Sequence, residues 1–476
     1  MSDSCCEVKK ANGKYDLAVI GAGSAGFSAA ITAADQGATV ALIGNGTIGG
    51  TCVNVGCVPS KALIRAAESI HQANSANRFG GVQASGQLQN WKLLRDQKDE
   101  LVSSLREAKY IDVLANYSGV SYIEGAARIV DDGVTVGNRH IKAKKIIIAT
   151  GSHEFIPPIP GVQDTPYLTS TTAFELEALP ESMMVIGGGY IGCEIAQMFS
   201  RLGVKITLLF RSSLLPEAEP EISQAIAGYF EAEGITVLQV NSYDSVSSLS
   251  GEVSLSVSIN GKTQAINAEK ILFSAGRKAN IDGLGLEEEG IACTASGAIH
   301  IDEQMRTTKE GVYAAGDVTG VDQFVYMAAY GAKIASHNAM GDSGRSYDNS
   351  AMPSVVFTDP QVASVGLTEA AARSRGVDTK VSVLSLDNVP RALAARDIKG
   401  LIKLVADRSD GKLLGAHIIA PEGADSIQTA ALAIKQGMTY TELGNMIFPY
   451  LTTVEGLKLA AQTFDMEVSK LSCCAG

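Results

Sequence analysis

The segment Gly49–Lys61, GGTCVNVGCVPSK, holds the residues best suited to chemistry: Cys52 and Cys57 share one short loop, and Lys61 follows them. A bridge across so few residues can open and reform without unfolding the chain. A thiol near a helix N-terminus or beside a lysine is shifted towards the nucleophilic thiolate. The N-terminal residues MSDSCCEVKK contain no apolar run of the kind a secretory leader needs, which predicts a cytoplasmic protein. In that compartment a catalytic disulfide is expected rather than a lasting structural one. A buried structural cysteine pair is the competing reading. The remaining cysteines are Cys5, Cys6, Cys193, Cys293, Cys473 and Cys474. Adjacent cysteines such as Cys473 and Cys474 close only a strained ring, so they suit a soft metal or thiol exchange with a partner.

The elements that must position this loop can be read on either side of it. YDLAVI is a short apolar strand that runs into GAGSAG, with Gly21, Gly23 and Gly26 in G-x-G-x-x-G spacing; an alanine-rich helical run and the strand ATVALI follow. The motif alone is weak, but strand, motif, helix and strand together predict a dinucleotide site at a helix N-terminus. The same order recurs in MVIGGGYIG, with Gly187, Gly189 and Gly192 ahead of the strand VKITLLF. Two such units imply two dinucleotides. The second unit ends its second strand at Phe210–Arg211 with no acid, and an arginine there suits the 2′-phosphate of NADPH. The first unit carries Gly44 and Asn45 where an acid would hold the ribose, so ribose recognition differs there and weaker dinucleotide affinity is expected.

These features together resemble the pyridine nucleotide–disulfide oxidoreductases. The resemblance implies an α/β fold with two Rossmann-like domains, for FAD and NADPH, and an α+β C-terminal domain that forms a homodimer. It implies an N-terminal tail over 1–14, a discontinuous FAD domain over 15–151 and 276–346, an NADPH domain over 152–275, and the interface domain over 347–476. Cys57 would lie next to the flavin and Cys52 would exchange with substrate. Lys61 would pair with Glu194 beside the flavin, and Tyr110 would approach the disulfide from the second helix, predicted over Trp91–Tyr110. A packing role is the alternative for Tyr110. Gly46, Thr51, Ala126, Asp317 of the AGD turn and Val325 would complete the FAD site.

The C-terminal segment narrows the substrate. Family members that act on disulfides carry a His-Pro-Thr sequence followed by a glutamate, whereas this chain has FPYLTTVEG, which sets Tyr450 at the histidine position. No histidine follows His417. Without an imidazole acid, a thiolate leaving group is protonated slowly at neutral pH. The run FPYLT…EGLKLAAQTF…LSCCAG resembles the branch of the family that reduces Hg(II). That likeness implies Hg(II)–thiol complexes as substrate, caught by Cys473 and Cys474 of a tail reaching the partner's site and passed to Cys52 and Cys57. Tyr110 and Tyr450 would flank the metal. Cys5 and Cys6 would be a minimal metal-binding tail or have no function. The alternative is an NADPH-dependent thiol–disulfide reductase of the thioredoxin-reductase kind, with the terminal cysteines as a relay. A metal buffer that has kept the fold is a third reading.

Composition sets the limits. The chain has 476 residues, enough for about three domains. A net charge of −12 argues against a nucleic-acid partner. No apolar run reaches the ~18 residues of a membrane span, so no membrane insertion is expected.

Overall fold

A computed structural model describes residues 14–342 and 344–471. The chain divides into two compact units. One comprises the described residues up to Ala62 with Lys92–Phe155 and Gly276–Asp348; the other comprises Leu63–Trp91, Ile156–Ala275 and Asn349 onward.

In the first unit, β1 (Lys14–Ile20) lies between β2 (Val40–Gly44) and β6 (Arg139–Ile148), parallel to both. The sheet continues through β3 (Val120–Glu124) beyond β2 and through the hairpin β4 (Ala127–Val130) and β5 (Gly133–Val136) beyond β6, which also pairs with the strand Val312–Ala314. The unbroken apolar run of β1 follows from burial on both faces. Leu17 and Val19 pack on α1 (Ser24–Asp35) and the helix Val325–Ala339, while Ala18 and Ile20 pack on the opposite face with Leu284, Ile291 and Ile299. The helices meet through Ala29, Ala30 and Ala33 on one and Ala328, Ala332 and Ala335 on the other, all buried. Side chains this small let the backbones approach, and Ser28 Oγ donates to the Ala329 carbonyl at 2.8 Å across the contact. The loop after β2 leads to α2 (Gly50–Asn54) and α3 (Cys57–Asn74). The expected helix Trp91–Tyr110 is regular over α4 (Trp91–Arg106), and then widens into a π-helical turn, Glu107–Ile111. Such turns re-aim the side chains they contain.

The second unit repeats the architecture. Five parallel strands run in the order Thr236–Gln239, Lys205–Phe210, Ser182–Ile186, Lys270–Phe273 and Leu168–Thr169, with the helix Tyr190–Arg201 following the central strand. A three-stranded antiparallel sheet, Ser242–Ala268, packs on it through Val246, Leu255 and Val257. From Asn349 the texture changes to a five-stranded antiparallel sheet over Pro353–Ala420, backed by the helices Gly423–Lys435 and Glu455–Gln462. Among the described residues no helix is long and apolar enough to cross a membrane.

Candidate active site

The first glycine-rich loop is shaped by close approach. Gly21 has φ +116°, and a Cβ there would lie 2.1 Å from the Ala149 carbonyl oxygen; a Cβ on Gly26 would lie 1.7 Å from the Gly21 oxygen. Both glycines are therefore required by the turn and by the helix seated on it. Gly23 stands at the N-cap of α1, where the first backbone N–H groups of the helix have no intrahelical partner and can bind an anion. Over this loop sits the cysteine segment. Gly49 N donates to the Ala22 carbonyl at 2.9 Å, and a Cβ on Gly50 would come within 2.6 Å of Gly23 Cα. Glycine on both sides of the contact brings the two loops together.

Cys52 lies in the short α2 and Cys57 begins α3; both are half-buried. The hydrogen bond with Cys57 and then burial push the Cys52 thiol well above its ordinary value, while the charge of Lys61 pulls it down. The nearest partner of Cys52 is thus a second sulfur, and the two thiols answer to each other before they answer to the lysine. Asn54 Nδ2 donates to the carbonyls of Ile48 and Gly50 at 2.9 Å, and Arg106 Nη1 donates to Asn54 Oδ1 at 3.0 Å, tying the segment to α4. Thr51 is exposed at the start of α2 and Gly46 lies in the loop before it.

Tyr110 sits in the π-turn. Its hydroxyl is 3.1 Å from Ser24 Oγ and its ring packs edge-on against Phe27 at 4.8 Å. Burial raises its pKa, the charges of Cys52 and Cys57 adding to the rise, and a Cβ on Gly49 of the cysteine segment would lie 3.3 Å from its ring. Asp317 opens a turn after the strand Val312–Ala314; its Oδ2 accepts from Ser152 Oγ at 2.7 Å, and Ser152 Oγ accepts from Arg277 Nε at 2.7 Å. Gly316, just before it, packs on Ala25 and Ala328. Val325 begins the helix Val325–Ala339, and exposed Ala126 joins β3 to β4. The structure thus gathers the glycine loop, Cys52, Cys57 and Tyr110 in the first unit, with the Gly316–Asp317 turn packed on Ala25 of the loop's helix.

In the second unit Gly187 and Gly192 repeat the close approach: Cβ atoms there would lie 2.4 Å from the Ser274 oxygen and 1.9 Å from the Gly187 oxygen. Gly189 caps the following helix and has open space around its Cβ direction. Exposed Arg211 lies near Tyr243, whose phenol burial pushes up to about 12 against the pull of the arginine's charge. Glu194 is buried and its Oε1 accepts from Phe357 N at 2.9 Å. Tyr450 is 55% exposed beside exposed Ile447 and Leu451. Glu455, three residues past Thr452, accepts from Leu451 N at 3.1 Å. Cys473, Cys474, Cys5 and Cys6 lie outside the described residues.

Residues 15–335 match the model of the pyridine nucleotide-disulphide oxidoreductases, and 352–461 match the dimerisation domain of the same group. The chain belongs to the pyridine nucleotide-disulphide oxidoreductase family. It is 45% identical to a mercuric reductase of Staphylococcus aureus over 467 residues, covering 98% of this chain and 85% of that one. It is also 45% identical to a mercuric reductase of Streptomyces lividans, over 97% of this chain and 98% of that one. Among solved structures, the Cu(II) complex of the HOCl-induced flavoprotein disulfide reductase RclA from Escherichia coli superimposes with TM-score 0.83 at 31% identity, covering 94% of this chain and 99% of that one.

Within this family's framework, the sequence reading missed the supporting side chains: Ser24 on Tyr110, Asn54 and Arg106 on the cysteine segment, and Ser152 with Arg277 on Asp317. Ser24 had a local signal, since it occupies a variable position of the glycine motif. Asn54 lies inside the cysteine segment itself, whereas Arg106, Ser152 and Arg277 act from 52 to 165 residues away in sequence, where no spacing points to them.

Proposed function

We propose that the chain reduces Hg(II) to Hg(0) with an electron pair from NADPH, using FAD in the first glycine-rich unit and the Cys52–Cys57 pair. The observation that supports this reading is the half-buried Cys52–Cys57 pair in a segment whose Gly50 packs directly on Gly23 of the first dinucleotide loop. The donors fit the cofactors. Gly21, Gly23 and Gly26 shape the first cradle, and Gly46, Thr51, Lys61, Ala126, Asp317 and Val325 would hold the flavin; Gly187, Gly189 and Gly192 shape the second cradle, where Arg211 would meet NADPH. FAD, when bound, carries two electrons from the nicotinamide to the sulfur side.

The protein's part is to bind, orient and exclude. Two thiol sulfurs form a two-coordinate soft donor set, which suits the linear preference of Hg(II). Among the described residues no group of three or more His, Cys, Asp or Glu is arranged to hold a metal ion. Cys52 would give up its thiol proton as the Hg–S bond forms, and Cys57 would lie on the flavin side. Tyr110 walls the pair, and Tyr450 takes the position of an acid that metal reduction does not require. Overall, NADPH and Hg(II) give NADP⁺, H⁺ and Hg(0), which leaves as a neutral atom. Cys473 and Cys474 deliver Hg(II) from the tail of the partner in a homodimer built on the 347–476 domain, and the FAD and NADPH domains follow the boundaries expected from sequence. A cytoplasmic location, where NADPH and thiols are abundant, goes with this chemistry.

NADPH oxidation by the purified yellow protein tests the reading, with Hg(II) in excess thiol and, separately, with oxidised glutathione, lipoamide and thioredoxin. Turnover with Hg(II) and release of volatile mercury is expected. Turnover with a disulfide in its place would mean a thiol–disulfide reductase.

A further inference from the structure

The strand β2 ends at Gly44, where folds of this type place the carboxylate that holds the adenosine ribose. The space is not vacant. A Cβ on Gly44 would lie 2.5 Å from the Tyr122 hydroxyl and 2.9 Å from Ala22 Cβ, so a phenol from the neighbouring strand fills the position. The register explains how. Leu42 pairs with Tyr122 and Gly44 with Glu124 in a parallel ladder. Paired residues in such a ladder project on the same face, so Tyr122 and Glu124 both leave β3 on the side a residue 44 side chain would have used. Gly125 N donates to the Gly44 carbonyl at 2.8 Å and holds the two strand ends level. Burial, with the Glu124 charge second, raises the Tyr122 pKa, so the phenol stays protonated and can both donate and accept.

We propose that Tyr122 and Glu124 hold the ribose hydroxyls of the FAD adenosine, the recognition having moved one strand outward from β2 to β3. A vicinal diol needs an acceptor for its protons and gains from a donor to its oxygens. The carboxylate supplies the first and the phenol supplies both. Glycine at 44 is then a requirement, since any side chain there displaces the phenol or presses on Ala22 in the pyrophosphate loop. The acid missing from β2 is replaced across the ladder.

The proposal rests on FAD occupying the first unit, and the test separates the two ideas. Full-length protein stripped of flavin is titrated with FAD and with its 2′,3′-dideoxyadenosine analogue, followed by flavin fluorescence. The unaltered protein should bind FAD and prefer it over the analogue. Tyr122→Phe and Glu124→Gln should each weaken FAD roughly tenfold, leave the analogue unaffected, and leave the flavin-free Tm unchanged. Gly44→Glu should weaken FAD, because it expels the phenol. Equal FAD affinity in both β3 variants, losses shared by FAD and the analogue, or tighter FAD binding in Gly44→Glu would overturn the assignment. Failure of the unaltered protein to bind FAD at all would bring down the functional reading, and this proposal with it.

Discussion

The two glycine-rich units share a backbone solution and differ in what lies on top of it. In both, the first and third glycines permit contacts that a Cβ would make impossible, at 2.1 and 1.7 Å in the first unit and 2.4 and 1.9 Å in the second. At the second glycine they part. Gly23 is covered by Gly50 of the cysteine segment, whereas Gly189 faces open space. The next residue diverges as well: Ser24 turns its hydroxyl to Tyr110, and Tyr190 reaches Ser354 Oγ at 3.4 Å. A dinucleotide under the first loop is roofed over by redox machinery and suits a group that stays bound. One at the second can come and go, as a consumed reductant must. The same fold serves as a seat in one place and as a dock in the other.

The sharpest break of this comparison is at the roof. Cys57→Ser should lower Hg(II)-dependent NADPH oxidation on the order of 10³-fold while the protein stays yellow, since the sulfur does the chemistry and the glycines do the binding. Retained turnover would detach the cysteine segment from the reaction. Next come matched alanines at the third glycines, where a Cβ would meet a backbone oxygen and the loop must shift, at a cost of about 3 kcal/mol or more, roughly 150-fold. Gly26→Ala should lose FAD on purification. Gly192→Ala should keep it and show a raised KM for NADPH. Flavin absorbance and initial rates distinguish the two, and loss of flavin from both variants would erase the difference between seat and dock. Arg211→Glu is milder. It exchanges a charge-assisted contact to the 2′-phosphate, worth about 1.5–3 kcal/mol, for a repulsion. The ratio of kcat/KM for NADPH over NADH should fall at least about tenfold, and an unchanged ratio would remove Arg211 from the site.

How much of this was legible in the chain depends on the range of each contact. Both glycine units, the cysteine segment and the change of texture near Ser350 are local patterns, each read from consecutive residues, and the sheets follow from them. The filling of Gly44 was not legible. The sequence shows the acid missing from β2, but the replacement comes from Tyr122 through strand register, which pattern alone does not reveal. The same holds for Asp317, whose partner Ser152 lies 165 residues earlier. The π-turn at Tyr110 was likewise read as ordinary helix, because propensity does not distinguish one extra residue per turn. The mutual influence of Cys52 and Cys57 was not legible for a different reason. The general rule concerns a thiol beside a cation, and this one answers first to another thiol.

The smallest effect probes the link from the first loop to its roof. Ser24 Oγ lies 3.1 Å from the Tyr110 hydroxyl, and of the influences on that phenol it is the one that lowers the pKa, against burial and the two cysteines. Ser24→Ala should therefore raise the Tyr110 pKa further, while the edge-on contact with Phe27 keeps the ring in place. A net hydrogen bond of about 1 kcal/mol corresponds to roughly fivefold, so kcat/KM for Hg(II) should fall by about that factor with KM for NADPH unchanged. Tyr110→Phe removes the same bond from the other side. If the bond is what aligns Tyr110 with the sulfurs, the double variant should be no worse than the worse single one; residues that share one interaction are not additive. Two losses that simply multiply would mean that the serine serves the pyrophosphate and the tyrosine serves the metal independently, and the roof would then rest on the glycine contact alone.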